Sequence, residues 1–282
     1  MNLICLLLSL IVLFNSFPSV KETCMSEEKK EIPSRIWEVS SFRFTVFFDD
    51  LNAPDILALF QACCDSDAET DTTERSTNKR TVTGVLGEFR FTLTKTPQRV
   101  DAVISPNPPA SIAPDPLPFI GNIESTSDLI KKTYTKLIQK FDQFNRLAWG
   151  GVYHLRRSSL KAAYETLAAF VPALKIDVEN SSDLIYRINR PRIITVGDAT
   201  CGINRLSSWA CVLGMAFKVE ASAAQVGVQQ AVPESIFATR LETDINTFPS
   251  LDLSRFSIAE KLALAENLYD FSTEIALKGD QP

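Results

Sequence analysis

Arginine and asparagine recur at short spacing in the second half of the chain. The run Ile188-Asn189-Arg190-Pro191-Arg192 is followed by a second Ile-Asn-Arg at 203–205. If the flanking strands pair, these side chains gather, and guanidinium groups beside amides suit a carboxylate or phosphate, which Arg binds in a bidentate manner. The alternative is that the arginines pair with Asp183, Asp198 or other acids and only fix the hairpin. The candidate anion- or partner-binding residues are Arg187, Asn189, Arg190, Arg192, Asn204 and Arg205.

The inventory of catalytic motifs is small. His154 is the only histidine, which excludes metal sites built from several histidines. A serine or cysteine nucleophile needs only one base, but the chain has no GxSxG motif. CxxC, GxxxxGK[ST] and GxGxxG are also absent. The sequence therefore predicts no catalytic residue, no metal and no cofactor. Four cysteines are expected to be small buried hydrophobes: Cys63, Cys64, Cys201 and Cys211.

Two function classes follow from this inventory. The first is a non-catalytic binding or protein-interaction module, with a protein as the expected partner and an open sheet face, a proline-rich segment and the arginine hairpin as contact surfaces. The alternative is an enzyme with a cleft between two halves, acting on a phosphate- or carboxylate-bearing substrate through His154 or scattered carboxylates. Acidic residues that end or line predicted strands are Asp49, Asp50, Asp101, Glu242 and Asp244.

Composition indicates a globular protein without general affinity for nucleic acids. Hydrophobic residues make up 45% of the 282 residues, which is enough for one large core or two joined ones. The formal net charge is −5, whereas binding to a phosphate backbone draws on clustered Lys and Arg.

The hydrophobic period switches repeatedly between 2 and 3.6, which indicates alternating strands and helices. Residues 65–78 are acidic, rich in Ser and Thr and nearly free of hydrophobes, so we expect a mobile loop there. The proline-rich stretch 106–118 should be extended and wrap across a surface. The predicted elements of the first half are a strand at 42–48, a short helix capped by Asn52, strands at 82–86, 89–94 and 98–105, and a long helix at 125–145.

The second half shows a similar order of patterns. Little apolar sequence follows Ile194, which favours a loop between the strands that carry the arginines. Ser257 and Glu260 form a capping box for the last helix. The predicted elements are a strand at 147–156, a helix at 160–170 capped by Ser158 or Ser159, strands at 184–188, 210–220 and 237–245, and a long helix at 258–277.

This repeated order predicts an α+β fold of two similar halves, 36–146 and 147–278. Residues 99–108 and 240–249 align well, and each precedes a long helix. Alternating strands with one polar face are typical of antiparallel sheets. Each half should therefore be a mainly antiparallel sheet covered by a short and a long helix, as a product of internal duplication.

The N-terminus permits two interpretations. Residues 1–24 form an apolar leader, whose run Leu3–Phe14 is too short to span a bilayer but fits the core of a signal peptide. No Lys or Arg precedes it and no clear cleavage site follows, whereas Met25 opens a polar lead-in at 25–35. We expect translation to start at Met25 and the protein to be cytoplasmic. The alternative is export through a signal peptide ending near residues 16–23, and membrane contact is expected only if the leader is real.

Overall fold

The computed structural model describes residues 36–48, 54–64, 66–108, 115–141, 143–218, 232–249 and 251–280. The strands are β1 (Glu38–Phe47), β2 (Thr70–Glu74), β3 (Lys79–Leu86), β4 (Phe89–Thr96), β5 (Arg99–Pro106), β6 (Arg146–Arg157), β7 (Ile185–Asn189), β8 (Arg192–Val196), β9 (Ala199–Lys218) and β10 (Val232–Thr247). The helices are α1 (Ile56–Cys63), α2 (Ile123–Ile138), α3 (Leu160–Phe170) and α4 (Ile258–Lys278).

Ten strands of the described residues form one antiparallel sheet in the order β2-β3-β4-β5-β1-β6-β10-β9-β7, and β8 pairs with β9 alongside β7. At its centre β1 pairs with β6, from Glu38 opposite His154 to Phe47 opposite Arg146. The segments 36–146 and 147–278 therefore meet through hydrogen-bonded strands. The predicted α+β class with a mainly antiparallel sheet is confirmed.

Alternation along the strands gives the sheet one buried face and one open face. In β1, Phe42, Phe44 and Val46 point towards the helices and are nearly fully buried. Trp149 of β6 lies between both long helices, with its ring 6.0 Å from Tyr134 of α2 and 5.4 Å from Tyr269 of α4. Burying such a side chain contributes about 1.5–3 kcal/mol, so this face holds the helices in place. The opposite face carries no helix within the described residues.

Local capping explains where the helices begin. The predicted capping box of Ser257 and Glu260 is confirmed in α4, and Ser159 caps α3. A second capping box, between Asn122 and Ser125, opens α2 slightly before the predicted start. The predicted cap of α1 is wrong, because Asp55 fills that role, and Asn52 lies outside the described residues. Helix α2 also ends at Ile138, well before the predicted residue 145.

Two predicted loops are in fact strands. Residues 70–74 form β2, which is fully exposed and stabilised by its ladder with β3 and by the bidentate Arg80–Asp71 pair at 2.9 and 2.7 Å. The region after Ile194 contains the rest of β8 and the start of the 20-residue strand β9. The alternation of β9 was missed because Arg205 and Ser207 occupy buried positions on its helix-facing side.

The described part of the proline-rich stretch crosses the open face near one end. Arg156 of β6 donates to the Asp115 carboxylate at 2.6 Å and to the Leu117 carbonyl at 2.7 Å. A Cβ at Gly214 of β9 would approach Pro116 to 3.2 Å, so glycine allows the segment to lie against the sheet. The predicted surface wrap holds for residues 115–118, and residues 109–114 lie outside the described part.

Among the helices of the described residues, none is long and apolar enough to cross a bilayer. The leader and the polar lead-in, up to residue 35, lie outside the described residues.

Candidate functional site

A pocket of about 470 Å³ lies on the open face of the sheet and extends from β5 across β1, β6, β10 and β9 to β7. We call it the open-face pocket. Both segments contribute to it, so it lies at their junction. Its lining residues are Ser41, Arg43, Val103, Gly150, Gly151, Val152, Arg187, Leu206, Ser207, Ser208, Glu242, Thr243 and Asp244.

Strand register arranges the polar side chains of this pocket in two adjacent rows. One row runs Ser41, Val152, Glu242, Ser208 and Arg187, each opposite its neighbour on the next strand. Neighbouring strands lie about 4.8 Å apart, so the Cα atoms of Ser41 and Arg187 are about 19 Å apart. The second row runs Arg43, Gly150, Asp244 and Leu206.

Arg43 lies flat over a glycine at one end of the pocket. A Cβ at Gly150 would approach the Arg43 Nη2 and Nε atoms to 3.3 and 3.4 Å, so the missing side chain makes room for the guanidinium. Asp244 lies 3.8 Å from the Arg43 guanidinium, which is a loose contact. The Nε of Arg43 is buried and has no hydrogen-bond partner within the described chain.

At the other end of the pocket, Arg187 is exposed and has no ion-pair or hydrogen-bond partner among the residues that the structure describes. The Ser41 and Ser208 hydroxyls likewise have no hydrogen-bond partner in that part of the chain. Glu242 pairs with Arg240, and Asp244 accepts a hydrogen bond from Asn246 at 3.1 Å. Counting only contacts among the described residues, the pocket therefore presents one unpaired cation, unpaired hydroxyls and carboxylates with spare acceptor capacity.

The predicted arginine cluster is divided between the two faces of the sheet. Arg187 points to the open-face pocket, whereas Arg190, Arg192 and Arg205 lie on the helix side and contact acids near the end of α4. Arg190 donates to both oxygens of Asp280, at 2.5 and 2.8 Å. Arg192 and Arg205 each lie 3.2 Å from Glu274. The acidic partners are thus residues of the C-terminal segment rather than Asp183 or Asp198.

The predicted asparagines form a polar chain that fixes the strands. The Asn189 side-chain amide donates to the side-chain oxygen Oδ1 of Asn204 at 2.9 Å. Its own Oδ1 accepts from the Arg205 backbone N–H at 2.9 Å. Asn204 in turn donates to Asn246 at 3.0 Å, and Asn246 accepts from Arg146 at 2.7 Å. These amides are therefore occupied within the sheet.

Burial and pairing shift the pKa values of the cluster on the helix side. Burial lowers the pKa of Arg205, whose side chain is 4% exposed. Burial alone would raise the pKa of Asp280, but hydrogen bonds from Arg190 and Tyr186 outweigh it and lower that pKa. The Tyr186 hydroxyl donates to Asp280 at 2.9 Å. Asp280 therefore remains a carboxylate enclosed by donors.

His154 lies on the open face beneath the proline-rich segment. Its Nδ1 is 2.7 Å from the Ser40 hydroxyl, and that hydroxyl also donates to the Pro118 carbonyl at 3.1 Å. Burial, followed by the nearby Arg240 and Arg156 guanidinium groups, lowers the His154 pKa to about 4. The imidazole is therefore neutral near pH 7 and links β1 to β6.

The remaining candidates are dispersed. Asp101 accepts from Thr45 at 2.6 Å and from Arg99 at 2.6 Å, whereas Asp49 and Asp50 lie outside the described residues. Within the described chain no group of three or more His, Cys, Asp or Glu could hold a metal. The four described cysteines form no disulfide, and all but Cys211, which is partly exposed, are buried.

Sequence reasoning missed the contribution of β1 to the site. Ser41 and Arg43 alternate with Phe42 and Phe44, which marks them as residues of the open face, but nothing in the pattern places them opposite Val152 and Gly150. The sequence does predict that Glu242 and Asp244 line a strand. No family model, curated protein or solved structure is significantly similar to this chain.

Proposed function

We propose that the protein is a non-catalytic binding module and that the open-face pocket is its binding site. The observation that carries this proposal is a pocket of about 470 Å³ whose free polar groups, Arg187, Ser41 and Ser208, have no partner in the described chain. Ligand sites typically measure about 300–1,000 Å³ and contain a few well-placed polar groups. The arginines on the helix side are less suited to bind a ligand, because they already form ion pairs with Asp280 and Glu274.

Native mass spectrometry of the full chain purified from its host tests this function. We expect a bound species of constant mass on the wild-type protein that is lost when Ser208→Trp fills the pocket. Arg187→Glu serves as a second variant if the first fails to fold. Arg90→Gln is the control, because Arg90 lies on β4, outside the pocket, and pairs with Glu69. A bound mass that survives both pocket variants, or no bound mass on any form, would contradict the proposal.

The same spectra test the partner class. The protein partner that the sequence predicts would appear as a bound mass of several kilodaltons or more. A bound mass of a few hundred daltons would instead identify a small ligand. General nucleic-acid binding is not expected at a net charge of −5.

An enzyme is the second candidate function. It is supported by one contact, the 2.7 Å distance from Ser40 Oγ to His154 Nδ1, because a serine nucleophile needs a base at this range. A histidine with a pKa near 4 is a weak base, and the Pro118 carbonyl competes for the hydroxyl. Hydrolysis of p-nitrophenyl acetate that is lost in Ser40→Ala and retained in Ser208→Trp would favour the enzyme.

We also propose that segments 36–146 and 147–278 descend from a duplicated unit. In both, the first strand pairs with the last, as β1 with β5 and β6 with β10, and the last pairs with its predecessor. The aligned residues 99–106 and 240–247 both belong to that last strand. The segments differ at their outer edges, where β2 and β3 of the first correspond to β7 and β8 of the second. Failure of the two backbones to superpose in an experimental structure would reject the duplication.

The cytoplasmic location stays a prediction from the sequence. The intact mass of the protein isolated from its native host tests it, since a chain beginning at Met25 or Ser26 lacks the leader. A chain that begins between about residues 17 and 24 would indicate export.

A further inference from the structure

We propose that the open-face pocket binds a small polyhydroxylated anion, namely a sugar phosphate or a sugar acid. This inference rests on the binding function proposed above and specifies the chemistry of the ligand.

The anionic group is assigned to Arg187. Of the three arginines in or beside the pocket, Arg240 pairs with Glu242 and Arg43 lies near Asp244. Arg187 has no such partner in the described chain, so one positive charge is unbalanced. A guanidinium binds carboxylate and phosphate oxygens through two parallel hydrogen bonds. The pocket therefore favours a ligand with one anionic end.

The rest of the pocket suits hydroxyl groups. A carboxylate has about four acceptor positions, and the described contacts of Glu242 and Asp244 use only some of them. Ser208, opposite Arg187 on the adjacent strand, can donate and accept. Sugar hydroxyls also donate and accept, so they match this mixture, whereas an aliphatic anion could not donate to the remaining acceptor positions of the carboxylates.

Shape agrees with this class of ligand. The volume of about 470 Å³ accommodates a monosaccharide derivative together with bridging water. Leu206, on β9 next to β7, provides apolar surface for the C–H groups of a sugar ring. Ser208 lies next to Arg187 and Glu242 follows one strand further, so hydroxyl partners adjoin the anion position.

Isothermal titration calorimetry on the full chain at low ionic strength tests the proposal with four probes: glucose 6-phosphate, glucuronate, glucose and inorganic phosphate. We expect at least one of the two anionic sugars to bind about tenfold more tightly than glucose and inorganic phosphate, because only they engage both parts of the pocket. Binding of glucose 6-phosphate alone would assign a phosphate, and binding of glucuronate alone a carboxylate.

Variants locate the binding. Arg187→Gln should remove most of the tenfold preference for the anionic sugar over glucose. Glu242→Gln should weaken the charged and the uncharged sugar alike, and Arg90→Gln should leave both unchanged. Equal binding of all four probes, binding unaffected by Arg187→Gln, or no binding of either anionic sugar would overturn the proposal. If neither anionic sugar binds but the native bound mass still depends on Ser208, only the ligand class is wrong. Loss of that dependence would reject the binding function itself.

Discussion

The Arg190 guanidinium and the Asp280 carboxylate form a bidentate ion pair that ties the end of the chain after α4 to the turn between β7 and β8. The two hydrogen bonds measure 2.5 and 2.8 Å, and the Asp280 side chain is 2% exposed. The Asp280 backbone N–H also donates to the Phe170 carbonyl at 2.8 Å. Three separate segments therefore meet at this residue.

Breaking this pair should destabilise the fold. We expect Arg190→Gln to lower the free energy of unfolding by about 2–4 kcal/mol, because it leaves a buried carboxylate with fewer donors. A double-mutant cycle with Asp280→Asn should give a coupling of about 1–3 kcal/mol. Urea denaturation measures both. Arg255→Gln is the control, since Arg255 and Asp252 form an exposed pair, and it should leave stability close to that of the wild type. Coupling near zero would contradict the prediction.

Asp280 should also shape the acid stability of the protein. Its folded pKa lies below the ordinary value of 3.8, so between the two values the unfolded state binds more protons. The stabilisation that the Asp280 carboxylate gives is therefore fully present above its pKa in the unfolded state. It is lost as the pH falls through its pKa in the folded state. Urea denaturation between pH 5 and pH 2 should show a shallower loss of stability in Asp280→Asn than in the wild type. Parallel curves would show that the ion pair does not lower this pKa.

The single histidine gives a direct test of burial on the open face. Proton NMR of the native protein should show one imidazole C–H resonance that titrates near pH 4. Because the unfolded state protonates near pH 6.5, stability should be complete above that value and fall as pH drops from 6.5 to 4. The loss is about 2–3 kcal/mol, and His154→Asn should abolish this part of the pH dependence. Titration near pH 6.5 in the native protein would show that the ring is solvated.

The sequence predicts secondary structure well where one face of an element is apolar. Helix α3 and the capping box of α4 follow directly from such patterns. It fails in β2, which is stabilised by backbone pairing and ion pairs at an exposed edge, and at the start of β9, where Arg205 and Ser207 interrupt the buried side. Alternating hydrophobicity is the pattern that predicts a strand. Residues 70–74 and the start of β9 lack that alternation, so they are not predicted as strands.

The candidate site was predictable only in part for a related reason. The spacing of Arg187, Arg190, Arg192 and Arg205 predicts their proximity along neighbouring strands but not the face to which each points. Successive side chains of a strand point to opposite faces of the sheet, so a shift of one residue moves a side chain to the other face. The partners Glu274 and Asp280 are also distant in sequence, and only the packing of α4 brings them near. The open-face pocket depends on the pairing of β1 with β6, which local patterns do not encode.

Two adjacent glycines of β6 should differ in their tolerance of a methyl group. A Cβ at Gly151 would overlap three atoms of the Tyr153 ring and hydroxyl, and that hydroxyl is 2.6 Å from Ser272 in the core. Gly151→Ala should therefore cost about 1–3 kcal/mol in thermal or urea denaturation, because the buried ring must move. Gly150→Ala faces the flexible Arg43 at 3.3 Å and should cost less. Equal losses would show that the Tyr153 ring is free to adjust.

Replacing Arg205 or Glu274 by an uncharged residue should have different effects on the stability of the fold. The Arg205 side chain is 4% exposed, its Nε has no partner in the described chain, and its charge is lodged 5.0 Å from the Phe271 ring. The free energy needed to desolvate a buried charge often equals or exceeds the electrostatic stabilisation from its ion pair. Arg205→Met removes this charge and keeps much of the side-chain volume, so we expect a stability within about 1 kcal/mol of the wild type or above it.

Glu274→Gln instead leaves Arg205 buried without a carboxylate and weakens the contact with Arg192 as well. We expect it to lower the free energy of unfolding by about 2–4 kcal/mol. Glu266→Gln, on the same helix but in an exposed pair with Lys131, is the control and should cost about 0–1 kcal/mol. In the double variant the cost of Glu274→Gln should largely disappear, because no buried charge remains to be compensated. A loss of several kcal/mol in Arg205→Met alone would show that the arginine stabilises the junction of β9 with α4 by its charge.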